Sequence, residues 1–204
     1  CVFFFVMCFF VVFSCVFFIF SIDTSLVRLQ DIAAGLIWMT LVFDGLLGVG
    51  RTFHLESEDG ALQGVLMSPA PKDAIFLGKA ISNFALLFAV ALLVLGVFTL
   101  FFGLDIGSNP VALLLALGLG SLGFVALGTL FAAVSSGTRM GETVLPVLVF
   151  PLLVPMVIYG AGATGRLLAG RPVAEVAGNL RMLGAFALVA LAAGAVLFRF
   201  VVEE

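Results

Sequence analysis

The chain alternates between long apolar stretches and short polar links. A helix needs roughly 20 predominantly apolar residues to cross a bilayer, and six stretches come close to that length or exceed it. They are residues 1–20, 32–50, 74–102, 111–134, 143–163 and 182–202. The pattern predicts six transmembrane helices, and an even number of spans places both termini on the same side of the membrane.

The amino-acid composition excludes a soluble protein. Hydrophobic residues make up 63% of the chain and charged residues 10%, whereas soluble domains carry about 25% charged residues. This number of charges is too small to cover the surface of a soluble protein. The predicted fold is therefore a single all-α integral membrane domain over residues 1–204. The net charge of −3 gives no basis for nucleic-acid binding, which requires clustered Lys and Arg.

The first apolar stretch begins at Cys1 rather than at a methionine, so we expect the natural protein to have residues before it. No basic region and no small-residue cleavage site accompany this stretch, which favours a membrane span over a cleaved signal peptide. Cys1, Cys8 and Cys15 recur every seven residues and therefore share one helix face. We expect them to be free thiols that pack as small apolar side chains.

The basic residues do not decide the orientation of the predicted bundle. With cytosolic termini, the cytosolic side would hold five of the nine basic residues and the outer side would hold four. This difference is too small for the excess of Lys and Arg in cytosolic loops to set the topology.

The longest polar interruption in the chain lies between the second and third apolar stretches, at residues 51–73. We call this segment the insert. Placed on a helix, residues 53–67 present Leu55, Leu62 and Leu66 on one face. The acidic residues Glu56, Glu58 and Asp59 lie towards the other face. Gly60 and Gly64 weaken this helix, and Pro69 and Pro71 end it.

The acidic face of the insert indicates what it binds. Helices that lie on membranes carry Lys and Arg on their polar face, and anionic lipid would repel the acids present here. A protein surface is therefore the predicted partner. The simpler alternative is a polar helix that only caps the bundle.

Asp44 and Lys79 are charged residues that lie within apolar stretches. Asp44 falls inside the second stretch, and an acid in a membrane span is by default a functional hypothesis. Lys79, near the start of the third stretch, is its predicted partner in a charge pair, with Arg51 as a second possibility. Alternatively, Asp44 reaches the polar boundary or is uncharged.

The sequence shows no motif for nucleotide, metal or haem binding. Gly78-Lys79-Ala80 lacks the Ser or Thr and the earlier glycine of a phosphate-binding loop, so any ATP hydrolysis must come from another subunit. His54 is the only histidine and has no second ligand. We therefore predict no catalytic residue, no metal and no directly bound cofactor.

Packing faces and a possible hinge can be predicted from small residues and prolines. Ala116–Gly120 and Ala190–Gly194 are small-xxx-small pairs, which let membrane helices approach closely. In the fifth stretch Pro146, Pro151 and Pro155 each remove a backbone donor, which predicts a kinked helix. The bend either fits the curvature of the bundle or acts as a hinge in a moving helix.

Six spans with a short amphipathic insert between the second and third resemble the permeases of type-2 ABC exporters. Within that class the chain is similar to the haem exporter B family of bacterial cytochrome c maturation. The similarity runs from about residue 32 to 195. It is carried by Gly35-Leu36-Ile37-Trp38, Arg51, Phe53, Asp59-Gly60, Leu62, Leu66, Pro69, Pro71, Lys79, Leu122-Gly123-Phe124, Pro151 and Pro155. Asp44 departs from it, since a small or uncharged residue is expected there.

This resemblance implies a non-catalytic membrane subunit in the bacterial cytoplasmic membrane, with both termini cytosolic. Two copies would assemble with two copies of a separate ATPase, a haem-handling membrane protein and a small single-span protein. ATP would bind to the ATPase and haem to the partner subunits. The complex would use ATP to release a haem-loaded periplasmic chaperone.

By the same resemblance the insert would hold the coupling helix that binds the ATPase. Its predicted contact residues are Arg51, Phe53, Leu55, Glu56, Glu58, Asp59, Gly60, Leu62 and Leu66. Two other functions stay open: a general export permease for a lipid, drug, glycan or haem itself, and a membrane enzyme. The enzyme would need clustered acids or histidines, which the sequence does not show.

Overall fold

The computed structural model of the chain describes residues 2–21, 29–58, 71–104, 106, 109–136 and 141–201. Nearly all of these residues are α-helical. The helices are α1 (Val2–Ser21), α2 (Leu29–Glu58), α3 (Lys72–Phe102), α4 (Pro110–Ser136), α5 (Gly141–Leu168) and α6 (Val173–Val201). The all-helical prediction is thereby confirmed for the part of the chain that the structure describes.

Successive helices run in alternating directions, because each pair is packed together and joined by a short link. The C-terminal ends of α2, α4 and α6 and the N-terminal end of α3 therefore lie on the same side of the bundle. We call this side the insert end. The turn between α5 and α6 lies at the opposite end. Gly170 makes that turn in the left-handed region with φ 73°, where a residue without a Cβ is favoured.

Five helices contain stretches that are long and apolar enough to cross a membrane. They are Ile32–Val49, Lys72–Phe102, Pro110–Val134, Val147–Leu168 and Val173–Phe198. Within α1, Val6–Ser21 is a shorter apolar helix. Several spans are thus confirmed over the described residues, whereas the count of six stays a prediction.

The second helix does not end where the second apolar stretch ends. α2 continues without interruption past residue 50 to Glu58, so the backbone of 51–58 forms its last two turns. The predicted coupling helix therefore has no separate start at residue 53. Residues 59–70 lie outside the described residues, and the rest of that helix stays a prediction.

The predicted link 164–181 is mostly helical. α5 extends to Leu168 and α6 begins at Val173, which leaves four residues for the turn. The Arg171 N–H donates to the Arg166 carbonyl and the Gly170 N–H to the Leu167 carbonyl, both at 3.0 Å. Carbonyls at the end of α5 thus find donors in the turn itself.

The core is built around α4, which packs against α2, α3, α5 and α6. Gly120 of α4 lies against the Trp38 ring, and Gly194 of α6 lies against the Phe76 ring. Ala116 and Ala190 are buried as well. Both predicted small-residue pairs are therefore confirmed as packing faces.

α1 lies at the edge of the bundle against α2 and α3. Met7, Val11 and Cys15 face inwards and are buried, while Phe9, Phe13 and Phe17 form a stacked row on the exposed face. Cys8 and Cys15 are free thiols, as predicted. Cys1 lies outside the described residues.

Candidate functional site

The insert joins α2 to α3 at the insert end of the bundle. Of the predicted coupling residues, Arg51, Phe53, Leu55, Glu56 and Glu58 belong to the last two turns of α2. The other predicted contacts, Asp59, Gly60, Leu62 and Leu66, lie outside the described residues. The chain returns at Pro71, whose extended backbone precedes α3 with φ −61° and ψ 137°.

The first turn of α3 is stabilised by a backbone hydrogen bond and by an acidic residue. The Pro71 carbonyl accepts a hydrogen bond from the Ala74 N–H at 2.9 Å. Asp73 lies in the first turn of α3, where a negative charge interacts favourably with the helix dipole. The structure thus fixes where the insert leaves α2 and where it enters α3.

A tryptophan joins three helices in the middle of the bundle. Trp38 of α2 is 1% exposed, and its ring lies between Gly120 of α4 and Gly160 of α5. Its indole N–H donates a hydrogen bond to the Thr164 hydroxyl of α5 at 3.0 Å. A Cβ at either glycine would overlap the ring, so only glycine fits there. We call these four residues the Trp38 joint.

A second buried hydrogen bond joins α3 to α4. The Asn83 amide donates to the Thr129 hydroxyl at 3.2 Å, and both side chains are buried. Hydrogen bonds between membrane helices are worth about 0.6–2 kcal/mol. This pair matches the Trp38–Thr164 pair in chemistry but lies on a different helix interface.

Asp44 lies on another face of α2 and is 0% exposed. Neither of its carboxyl oxygens has a hydrogen-bond partner among the described residues, and the same holds for the hydroxyl of Thr40, one turn earlier. No hydrogen bond therefore joins Asp44 to the half-buried Lys79, and the charge pair stays a prediction. The Arg51 side chain lies outside the described residues.

Two of the three predicted hinge prolines lie on the exposed side of α5. Pro151 and Pro155 are in the middle of the helix, and Pro146 lies nearer its start. A proline has no N–H to donate to the carbonyl four residues earlier, so α5 is short of donors along this stretch. The hinge itself stays a prediction.

An apolar groove opens between α2 and α5 on the outer surface of the bundle. Its volume is about 350 Å³. Gly35, Met39 and Phe43 form one wall. The other wall includes Phe150 and Val154. The groove extends from the level of the Trp38 joint towards the insert end.

At the opposite end a polar cluster ties α5 to α6. Arg166 donates to the Asn179 side-chain oxygen at 3.0 Å and to the Glu175 carbonyl at 3.3 Å. Asn179 in turn donates to the Tyr159 carbonyl at 3.1 Å. An exposed ion pair joins Arg171 and Glu175 at 3.9 Å. This end of the hairpin is therefore held by side chains as well as by packing.

Over the described ranges, no group of three or more His, Cys, Asp and Glu side chains is placed to hold a metal ion. The polar groups that the fold does bring together join helices or lie buried within them. Sequence reasoning missed the Trp38 joint, where the only available signal was a lone tryptophan in a chain rich in small residues. A buried indole N–H usually finds a hydrogen-bond partner.

The helices and their buried contacts define a multi-pass, all-α membrane protein. The family model described as "CcmB protein" matches residues 2–202. The chain therefore belongs to the CcmB family, and the resemblance inferred from its sequence is confirmed.

Relatives in several bacteria carry the name "Heme exporter protein B". The protein of Pseudomonas aeruginosa is 32% identical over 163 residues, which cover 80% of this chain and 71% of the relative. That of Paracoccus denitrificans is 35% identical over 142 residues, 70% of this chain and 65% of the relative. That of Escherichia coli K12 is 31% identical over 159 residues, 77% of this chain and 70% of the relative.

Several residues that carry the family resemblance are packing residues in the structure. Trp38 forms the joint, Phe124 lies against Gly45 of α2, and Gly123 lies against Phe186 of α6. The resemblance therefore reflects helix contacts of the bundle as well as the insert.

Proposed function

We propose that this chain is the permease subunit of an ATP-driven ABC complex in bacterial cytochrome c maturation. The observation that carries the proposal is the family match over residues 2–202, together with relatives named "Heme exporter protein B". The multi-pass helical fold supports a permease. The chain lies in the cytoplasmic membrane, surrounded by lipid, with both termini cytosolic.

In this proposal the subunit is not an enzyme. ATP binds to a separate ATPase subunit and haem binds to partner subunits, whereas this chain binds neither directly. Two copies of the chain assemble with two ATPase copies, a haem-handling membrane protein and a small single-span protein. The complex uses ATP to release a haem-loaded periplasmic chaperone.

The ATPase binds the insert through the predicted coupling residues. The continuity of α2 to Glu58 supports this arrangement, because a force applied at 51–58 acts directly on a helix that crosses the bundle. Within the described residues 51–58, no loop separates this part of the proposed contact from the membrane-spanning part of α2. Closure of the ATPase dimer then tilts α2 and moves the bundle.

A second candidate function is transport of haem itself, which the name "Heme exporter protein B" of the relatives favours. The two functions predict different states of the chaperone in cells that lack this subunit. If the subunit releases the chaperone, the haem-loaded form accumulates without it. If the subunit carries haem across the membrane, the chaperone is left without haem.

The test is therefore the haem content of the chaperone in a strain from which this gene is deleted, with all partners present. We expect haem-loaded chaperone to accumulate and mature cytochrome c to fall below detection, with both restored by the full-length gene. A chaperone free of haem would contradict the release function and support transport of haem. Normal cytochrome c in the deletion strain would contradict both.

A further inference from the structure

We infer that the Trp38 joint is the fulcrum through which movement of α2 reaches α5. This inference rests on the proposed function, since it assumes that an ATPase moves the insert end of α2. It assigns a positioning role to Trp38, Gly160 and Thr164. None of these residues lies near the insert.

The first argument is the length and continuity of α2. From Trp38 to Glu58 the helix is unbroken and extends about 30 Å, at about 1.5 Å per residue. A rigid helix moves as a lever about the point where it is held most firmly. A displacement at 51–58 therefore becomes a rotation of α2 about a contact that holds it against its neighbours.

The second argument is that the joint holds α2 closely, by packing against α4 and α5 and by a hydrogen bond to α5. The Trp38 ring has no space on either side, because a Cβ at Gly120 or Gly160 would overlap it. The hydrogen bond to Thr164 fixes the ring along α5 as well. α2 cannot slide along α5 at this level without withdrawing the indole from its slot.

The third argument is the contrast between the joint and the groove beside it. On the outer side of α2 and α5, towards the insert end, the helices leave a groove of about 350 Å³. Rotation of α2 about Trp38 therefore widens or narrows this groove. Phe43 and Val154 lie on its opposite walls and are exposed.

The fourth argument is the structure of α5 along that groove. Pro151 and Pro155 lie nine and five residues before Gly160, on the insert side of the joint. Since neither supplies a backbone donor, bending α5 there breaks fewer hydrogen bonds than elsewhere. α5 is thus held at the joint and bends more easily on the insert side of it. A helix with this arrangement can respond to a rotation of α2.

Matched substitutions separate a fulcrum from ordinary packing. Thr164→Val removes the hydroxyl that accepts the indole hydrogen bond and keeps the side-chain shape, whereas Thr164→Ser keeps the hydroxyl. Thr129→Val removes the acceptor of the Asn83 hydrogen bond. It is the control, because it breaks a buried bond of the same kind between α3 and α4, away from the contact of α2 with α5.

The experiment measures the distance between spin labels at Phe43→Cys and Val154→Cys, with the native cysteines replaced by alanine. In the first arm the full-length chain is alone in lipid nanodiscs. We expect Thr164→Val to broaden the distance distribution, while Thr164→Ser and Thr129→Val leave it as in the parent. An unchanged distribution in Thr164→Val would overturn the fulcrum.

In the second arm the ATPase subunit and a non-hydrolysable ATP analogue are added. We expect the label distance to shift in the parent, in Thr164→Ser and in Thr129→Val. One interhelical hydrogen bond changes an equilibrium constant about three- to thirtyfold, so the equilibrium constant for the shift falls by that factor in Thr164→Val. An equal loss in Thr129→Val, or none in Thr164→Val, would contradict the inference.

The two arms also separate this inference from the proposed function. If the ATPase does not bind the parent chain, the proposed function fails, and the first arm alone decides whether the joint holds α2 against α5. If the ATPase binds and the distance shifts equally in all variants, the proposed function stands and the fulcrum is wrong.

Discussion

Trp38 and Asp44 lie six residues apart on α2 and are equally withdrawn from the surface, yet their surroundings differ. The indole N–H of Trp38 donates to the Thr164 hydroxyl. The carboxyl oxygens of Asp44 have no hydrogen-bond partner among the described residues. Burying a polar group without a partner costs free energy, whereas a satisfied one joins helices. Burial alone therefore does not distinguish a polar residue that stabilises the fold from one that serves the function of the protein.

The comparison leads to a physical expectation about the two faces of α2. The face with Trp38 is optimised for packing, so changes there should destabilise the bundle. The face with Thr40 and Asp44 holds polar atoms that have no hydrogen-bond partner among the described residues, so apolar replacements there should stabilise it. Natural proteins tolerate such unfavourable groups mainly where function needs them.

The largest expected effect is at Asp44. Asp44→Leu replaces a buried acid with an apolar side chain of similar reach, and an acid at the centre of a span costs about 2.5–3.5 kcal/mol on insertion scales. We expect the thermal unfolding midpoint in detergent to rise, by an amount that corresponds to about 2–3 kcal/mol. Cytochrome c maturation should fall in the same variant.

The control for Asp44→Leu is Leu47→Ala, an apolar change on the exposed face of α2, which should alter neither property strongly. A lower midpoint for Asp44→Leu would show that the acid has a stabilising partner, such as Lys79 or Arg51. The comparison between the two faces would then be wrong.

The next largest effect is expected in the slot of the Trp38 joint. Gly160→Ala places a Cβ against the indole ring, and overpacking of this kind costs about 1–3 kcal/mol. Gly96→Ala on α3 is the matched control, because nothing lies within 4 Å of its added Cβ. We expect a lower unfolding midpoint for the first variant and an unchanged or higher one for the second.

Equal midpoints for Gly160→Ala and Gly96→Ala would show that the ring can move aside. A double variant, Trp38→Leu with Gly160→Ala, completes this test. Its leucine is smaller than the tryptophan and leaves room for the new methyl group. The two changes should be non-additive, because they share one contact.

The smallest expected effect is a difference in stability between two variants that carry the same substitution at different buried threonines. Thr164→Val removes a hydrogen-bond acceptor and should destabilise by about 1 kcal/mol. Thr40→Val removes a hydroxyl without a partner among the described residues and should be neutral or stabilising. Unfolding midpoints of both variants in the same detergent give the difference directly. A loss of stability in Thr40→Val as large as that in Thr164→Val would contradict it.

Much of the fold could be predicted because membrane helices follow hydropathy. In a bilayer every backbone group must be satisfied within its own helix, so the apolar stretches 74–102 and 111–134 correspond closely to α3 and α4. Small-residue spacing also located the packing faces at Gly120 and Gly194. These are local properties of the sequence.

The extent of the helices beyond the membrane could not be predicted in the same way. Polar residues do not end a helix, so α2 continues through Arg51 and His54 to Glu58. α6 likewise begins at Val173, well before the apolar stretch at 182. Hydropathy detects where a chain leaves the lipid, which is a different property from where its helix ends.

The Trp38 joint could not be predicted because its members are far apart in sequence. Trp38 and Thr164 are separated by 126 positions, and the slot exists only once α4 and α5 are packed together. The sequence did indicate Asp44, because an acid within an apolar stretch is conspicuous. It also predicted Lys79 or Arg51 as the partner of that acid, and this charge pair stays a prediction.

The most direct test of the account is whether the insert binds an ATPase. Tagged full-length protein is purified in mild detergent from cells that contain all its partners, and the co-purifying subunits are identified by mass spectrometry. The wild-type chain is compared with the double charge reversal Glu58→Lys and Asp59→Lys. Glu175→Lys, an exposed acid on α6 at the opposite end of the bundle, is the control.

We expect the wild-type chain and Glu175→Lys to retain an ABC ATPase and a haem-handling membrane protein. The double reversal should lose the ATPase, keep the haem-handling protein and remain folded, as judged by a single symmetric peak in gel filtration. If the double reversal retains the ATPase as well as the wild type does, or no ATPase co-purifies with any variant, the coupling role of the insert is wrong.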